Sequence, residues 1–154
     1  MAAYFVDSSA LVKRYVQEVG TAWVRSITRH SPCTTIGIAR ITAVEVTSAV
    51  ARRRKGRTLT SRKASSILHR FRQHLAGRYN VAQLTAALLD DATRLGVKHA
   101  LRAYDAVQLA VALEVNRSHQ ADGFGPITLI SADQALNAAA RSERMTVEDP
   151  NAHP

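Results

Sequence analysis

Tyr4-Phe5-Val6-Asp7-Ser8-Ser9 decides how this chain folds. The run from Ala2 to Val6 is apolar on both faces and shows no strict alternation, the pattern of a short strand buried on both sides. Ser8 or Ser9 is placed to cap the helix that follows, with Ala10, Leu11, Val12, Tyr15 and Val16 on its apolar side. Asp7 therefore stands at the carboxyl end of a strand, the edge where open α/β sheets bind ligands. Further along, Thr34 to Ile38, Tyr79 to Leu84, Ile127 to Ile130 and Met145 to Val147 read as strands, with helical patterns between them. The alternation predicts an α/β fold, a three-layer α/β/α sandwich around a mostly parallel sheet. Residues 1–154 carry no linker or repeat and read as one domain.

Between those strands the helix signals are specific. Gly20 and Thr21 break and restart a pattern through Trp23, Val24 and Ile27. A helix enters at Thr42-Ala43-Val44-Glu45 and closes on Arg52 to Gly56, bases and a glycine being favoured at a C-terminus. Thr60 caps the next, so that residues 42–76 form a helical hairpin. Thr85 caps a helix to Leu95-Gly96, and another runs from about Ala103 to Val115. Asn116 to Pro126, with two glycines and a proline, is expected to be the longest loop.

The chain has 154 residues, 46% apolar and 21% charged, an ordinary globular balance. Its one cysteine, Cys33, has no intramolecular partner, which suits a reducing compartment, and reads as a small buried side chain. No apolar run approaches the ~20 residues that cross a bilayer. The start lacks the basic region and cleavage site of a signal peptide, so a cytoplasmic protein is expected. The net charge of +9 is not spread evenly. Between Val46 and Leu89 there are ten bases and no acid: Arg52, Arg53, Arg54, Lys55, Arg57, Arg62, Lys63, Arg70, Arg72 and Arg78. That concentration lies on the hairpin and suits a polyanion, nucleic acid above all, although a solvated face or an acidic protein partner would use the same residues.

Four of the twelve acids share one kind of place. Asp7 and Asp133 directly follow strands, Glu45 lies in the first turn of a helix after a strand, and Asp105 lies near the start of the alanine-rich helix. Residues just past the strands of a parallel sheet converge on one edge. Carboxylates gathered there repel one another unless a hard divalent cation, Mg²⁺ or Mn²⁺, sits among them. A structural role competes at each site. Thr42-x-x-Glu45 and Ser131-x-x-Gln134 are capping-box patterns, and acids in a first turn are favoured by the helix dipole. Asp105 falls where the apolar helix face should be. The histidines show no metal-ligand spacing.

Tyr4-Phe5-Val6-Asp7-Ser8-Ser9-Ala10-Leu11, Thr42-Ala43-Val44-Glu45, Leu101 to Ala110 and Ile130-Ser131-Ala132-Asp133, in that order, resemble the PIN-domain ribonucleases, and most of all the VapC-type toxins of toxin–antitoxin pairs. The resemblance implies a metal-dependent endoribonuclease that uses Mg²⁺ or Mn²⁺. Asp7, Glu45, Asp105 and Asp133 would be its acidic cluster, serving both catalysis and metal binding. It also implies an RNA substrate, a cognate antitoxin and a homodimer, with the early helices and the basic hairpin as available contact surface. Arg102, close to Asp105, and Arg52, Arg53 and Arg54 on the hairpin are candidates for phosphate contacts. Ser9 and Ser131 either orient carboxylates or cap. Two other classes stay in view. A phosphatase or phospho-receiver wants a second acid near Asp7, where Ser9 stands instead. A non-catalytic RNA-binding module of the same fold would bind RNA without metal.

Overall fold

The computed structural model describes residues 2–29 and 31–154; His30, one of the histidines considered above, lies outside them. Five strands are laid down in the order β1 (Ala2–Val6), β2 (Thr34–Ala39), β3 (Asn80–Ala82), β4 (Thr128–Ile130) and β5 (Thr146–Glu148). In space they run β3-β2-β1-β4-β5, and every neighbouring pair is parallel. The chain builds outward from β1 to β3, then crosses back to lay β4 on the other side of β1. That reversal makes the carboxyl ends of β1 and β4 a topological switch point, where a crevice opens.

The helices are α1 (Ser8–Tyr15), α2 (Thr21–Ile27), α3 (Thr42–Lys55), α4 (Ser61–Gly77), α5 (Ala86–His99), α6 (Ala103–Ala121) and α7 (Gln134–Ser142). Side chains alternate across β1 and divide the core in two. Ala3 and Phe5 join Leu109, Val111, Leu129, Leu136 and Ala140 under α5, α6 and α7. Val6 joins Leu11, Tyr15, Ile36, Ile38, Val46 and Phe71 under α1, α3 and α4, with Trp23 and Ile27 of α2 against the edge of this cluster. Helices thus cover both faces, giving the expected three layers. No helix among the described residues is long and apolar enough to cross a membrane.

Gly20 makes one connection possible. Its φ of 81° suits glycine, and a Cβ there would lie 2.2 Å from the carbonyl oxygen of Pro150. The short 3₁₀ turn Pro150–Ala152 packs on α2 at this point, and His153 stacks on Trp23 with ring centroids 4.2 Å apart.

Several local expectations change. Asp7, not Ser8 or Ser9, is the N-cap of α1. Helix α6 continues through the stretch expected as loop to Ala121, stopping only at Asp122 and the left-handed Gly123. Residues 116–120 are polar rather than helix-breaking, and the Arg117–Glu114 ion pair supports the extra turn. β3 is half the length expected. Cys33 is exposed, because it lies in the turn ahead of β2, where only its backbone oxygen joins the ladder by accepting from Ala2. The apolar side chains of α1 lie in the core, so this helix offers little contact surface to a second copy.

Candidate active site

Asp7 sits at the switch point and is only 3% exposed. Its backbone N–H donates to Ile130 at 3.0 Å, which binds the end of β1 to the end of β4. Its carboxylate is gripped by hydroxyls. Oδ2 accepts from the Ser9 N–H at 3.1 Å, Ser9 Oγ at 2.6 Å and Ser131 Oγ at 3.3 Å, and Oδ1 from Ser8 Oγ at 3.4 Å. Ser9 Oγ in turn accepts from the Ala132 N–H at 2.9 Å, and Ser131 Oγ from the Asp133 N–H at 3.1 Å. A serine has one proton to give, so with both given to Asp7 these hydroxyls orient the carboxylate and tie it to the loop after β4. Ser131 is itself fully buried, and its carbonyl accepts from Asn137 Nδ2 at 2.9 Å.

The other three acids stand on different elements, Glu45 on α3, Asp105 on α6 and Asp133 directly ahead of α7. Asp133 is the N-cap of α7, its Oδ1 accepting from the Leu136 N–H at 2.9 Å. Capping therefore occupies one of its oxygens. The capping box expected at Thr42 and Glu45 does not form. Ile41 is the N-cap of α3 without a side-chain bond, and Thr42 and Glu45 instead receive one donor from α6. Gln108 Nε2 lies 2.8 Å from Thr42 Oγ1 and 2.7 Å from Glu45 Oε2. Gln108 is completely buried, and its Oε1 has no hydrogen-bond partner among the described residues. Sequence reasoning gave this residue no role. One glutamine in an alanine-rich helix carries no pattern, and the only signal was its place one turn after Asp105 on the buried side.

Electrostatics bind the four acids into one site. Burial raises the pKa of Asp7 against the opposing pull of its serine bonds. Burial also raises Glu45, with the charges of Asp7 and Asp105 pushing the same way and the Gln108 bond opposing. Asp105, in the first turn of α6, is raised to about 6 by burial and by the charges of Asp133 and Asp7, against the pull of Arg102. Glu45 and Asp105 therefore each feel two other acids of the group. Such a set of oxygens fits a hard divalent cation, which turns mutual repulsion into attraction. Among the described residues no three acids, histidines or cysteines stand close enough together to hold a metal ion as they are placed. Two carboxylates and several waters would be enough for Mg²⁺, which takes few protein ligands.

A cleft of about 700 Å³ opens beside these acids, lined by Ser8, Ser9, Glu45, Arg52, Arg53 and Tyr104 among others. Arg52 and Arg53 thus reach the cleft, while Arg54, exposed near the end of α3, is not among its lining residues. Arg53 is also paired with Glu18, which holds the nearly buried Lys13 at 3.3 Å. Arg102, the N-cap of α6, is exposed beside Asp105.

The family profile of the PIN domain matches residues 4–142, and the chain belongs to that family. Its fold is similar to that of VapBC2 from Rickettsia felis, solved bound to a DNA fragment from the promoter, with 14% identity, a TM-score of 0.63, and 96% of this chain and 98% of that one covered. It is similar as well to VapC20 of Mycobacterium tuberculosis, described as a sarcin-ricin loop cleaving toxin (18% identity, TM-score 0.62, 88% and 94% covered). FitAcB from Neisseria gonorrhoeae gives 19% identity and a TM-score of 0.59, with 96% and 97% covered. No curated protein matches the chain in sequence.

Proposed function

We propose that this chain is the toxin of a type II toxin–antitoxin pair, a cytoplasmic endoribonuclease that cleaves RNA phosphodiesters with Mg²⁺ or Mn²⁺. The observation that carries the reading is the buried, serine-gripped Asp7 at the switch point, sharing one electrostatic field with Glu45, Asp105 and Asp133. Asp7 and Asp105 would hold the ion, with Glu45 and Asp133 completing the site. A bound divalent cation supplies Lewis acidity at a phosphodiester and its attacking water.

The chain's own residues do the rest. Ser9 and Ser131 fix the Asp7 carboxylate so that it needs no reorganisation when charge develops. Gln108 holds Glu45 Oε2 in one position and favours its charged form. Without an ion the pKa of Asp105 is raised to about 6, and a bound cation would favour its ionised form. Arg102, at the mouth of the site, and Arg52 and Arg53, along the cleft, would bind substrate phosphates; Arg54 would add to the field outside the cleft. An antitoxin partner is supported by the fold shared with toxins solved in VapBC and FitAB complexes. A homodimer would use exposed apolar residues such as Leu89 and Val97 of α5.

The test is cleavage of total cellular RNA by the purified chain with Mg²⁺ or Mn²⁺, beside lanes with EDTA and with Asp7→Asn protein prepared identically. Discrete fragments that vanish in both controls are expected. Equal cleavage in all lanes would mean a contaminating nuclease and would sink the assignment. RNA retention in EDTA without any turnover would support the non-catalytic binding module instead.

A further inference from the structure

A second charged pocket lies far from the acids. Arg14 and Tyr15 of α1, Arg25 of α2, Arg29 just beyond it, and Arg70, His74 and Arg78 at the end of α4 line a concavity of about 410 Å³. Arg29 and Arg78 precede the amino ends of β2 and β3, whereas Asp7 and Asp133 follow the carboxyl ends of β1 and β4. In a parallel sheet those are opposite edges.

Five guanidinium groups meet here, and among the described residues none of them pairs with a carboxylate. Two are held in place by backbone. Arg14 Nη1 donates to the Thr28 carbonyl at 2.8 Å, and Arg25 Nε donates to the Arg14 carbonyl at 3.1 Å. Burial, then the charges of Arg14, Arg78 and Arg70, push the pKa of His74 down to about 4. Its Nδ1 lies 2.7 Å from the Tyr15 hydroxyl, which also meets the Tyr79 hydroxyl at 2.6 Å. The pocket therefore gathers five guanidiniums, two of them anchored, whose mutual repulsion no carboxylate among the described residues offsets. Forked guanidiniums match phosphate oxygens bidentately, and a polyanion would remove the repulsion.

We propose that this pocket is a second phosphate-binding site for the RNA backbone, so that the substrate is a folded RNA gripped at both edges of the sheet. The proposal rests on the ribonuclease reading above. The five residues of β1, at about 3.3 Å each, separate the edges by about 17 Å. At ~3.4 Å per stacked nucleotide that is about five nucleotides of stacked strand, and more around the flank of the molecule. A dinucleotide, with its single phosphodiester, cannot reach both edges even unstacked, whereas a hairpin of ~20 nucleotides can.

Binding of these two RNAs in EDTA, by the full chain, tests the idea. Arg29→Gln/Arg70→Gln/Arg78→Gln removes three exposed members of the pocket. Arg62→Gln/Lys63→Gln/Arg72→Gln removes equal charge from α4 outside it. The pocket variant is expected to bind the hairpin at least ~10-fold more weakly, with its salt slope reduced by about 2, at ~0.7 per lost contact to a single strand. Binding of the short RNA should stay within about twofold of wild type, and the control variant should keep most of its hairpin affinity. Equal weakening by both variants would reduce the pocket to net charge and overturn the proposal. Unchanged hairpin binding would also overturn it, and loss of poly-glutamate binding in that case would assign the pocket to an acidic protein. Failure of the underlying reading looks different, because then the wild-type chain would leave the hairpin uncut when Mg²⁺ or Mn²⁺ is supplied, whatever its binding.

Discussion

Replacing Gln108 by leucine tests the least expected part of the site. The glutamine donates to Thr42 Oγ1 and Glu45 Oε2, so the variant removes a hydrogen bond to a carboxylate, an interaction worth about 1.5–3 kcal/mol when shielded from water. Glu45 is only half-buried, which brings the expected loss down to about 1 kcal/mol. Glu45 should therefore titrate higher than in the wild type. The sign follows from the bond's preference for the charged form: without it, Glu45 holds its proton to higher pH. The acidic limb of the cleavage-rate profile should shift upward, and Mn²⁺ should bind several-fold more weakly at pH 6.5, measured by calorimetry. Stability should change little. The variant also removes the unpartnered, buried Oε1, whose desolvation costs about 1–3 kcal/mol, and this offsets the stranding of Thr42. Thermal unfolding monitored by circular dichroism checks that part. A pH profile and a metal affinity equal to wild type would refute the claim that Gln108 keeps Glu45 charged. A collapse of stability with catalysis per folded molecule intact would make it a core residue and nothing more.

Three further outcomes follow from the same geometry. Asp7→Asn should abolish cleavage yet raise the melting temperature of metal-free protein at pH 7, because ionising the buried Asp7 works against folding; a lower melting temperature would contradict that. Metal-free protein should lose stability as pH rises from about 4 to about 6, because Asp105, raised from 3.8 to about 6, holds its proton longer folded than unfolded. Melts in EDTA of wild type against Asp105→Asn isolate that contribution, the variant giving the flatter curve, and added Mg²⁺ should stabilise the wild type more at pH 7 than at pH 5. Gly20→Ala should cost at least about 1–2 kcal/mol from the left-handed backbone alone, and more from the clash with Pro150; chemical denaturation measures the loss, and unchanged stability would contradict the clash.

The acids were legible in the sequence because a parallel sheet turns order into position. An acid after an apolar strand has only one edge on which to sit, so Asp7 and Asp133 fall beside each other although 126 positions separate them. The local chemistry around them was less legible. Asp7, Ser8 and Ser9 are all good N-caps, and a helix start moved by one residue exchanges their roles, so the pattern alone could not tell a capping serine from one that grips the cap. In the same way Thr42-x-x-Glu45 reads as a box, but a box needs Thr42 at the N-cap, and here it lies one residue inside the helix, leaving both side chains to Gln108. The basic stretch shows the opposite failing. Its ten charges read as one surface, yet the turn between α3 and α4 sends Arg52 and Arg53 to the acidic cleft and Arg70 and Arg78 to the far edge, where residues of α1 and α2 complete the cluster. Charge counted along a chain locates an attraction for polyanions, but only the packing of helices divides it between two separate concavities on the folded molecule.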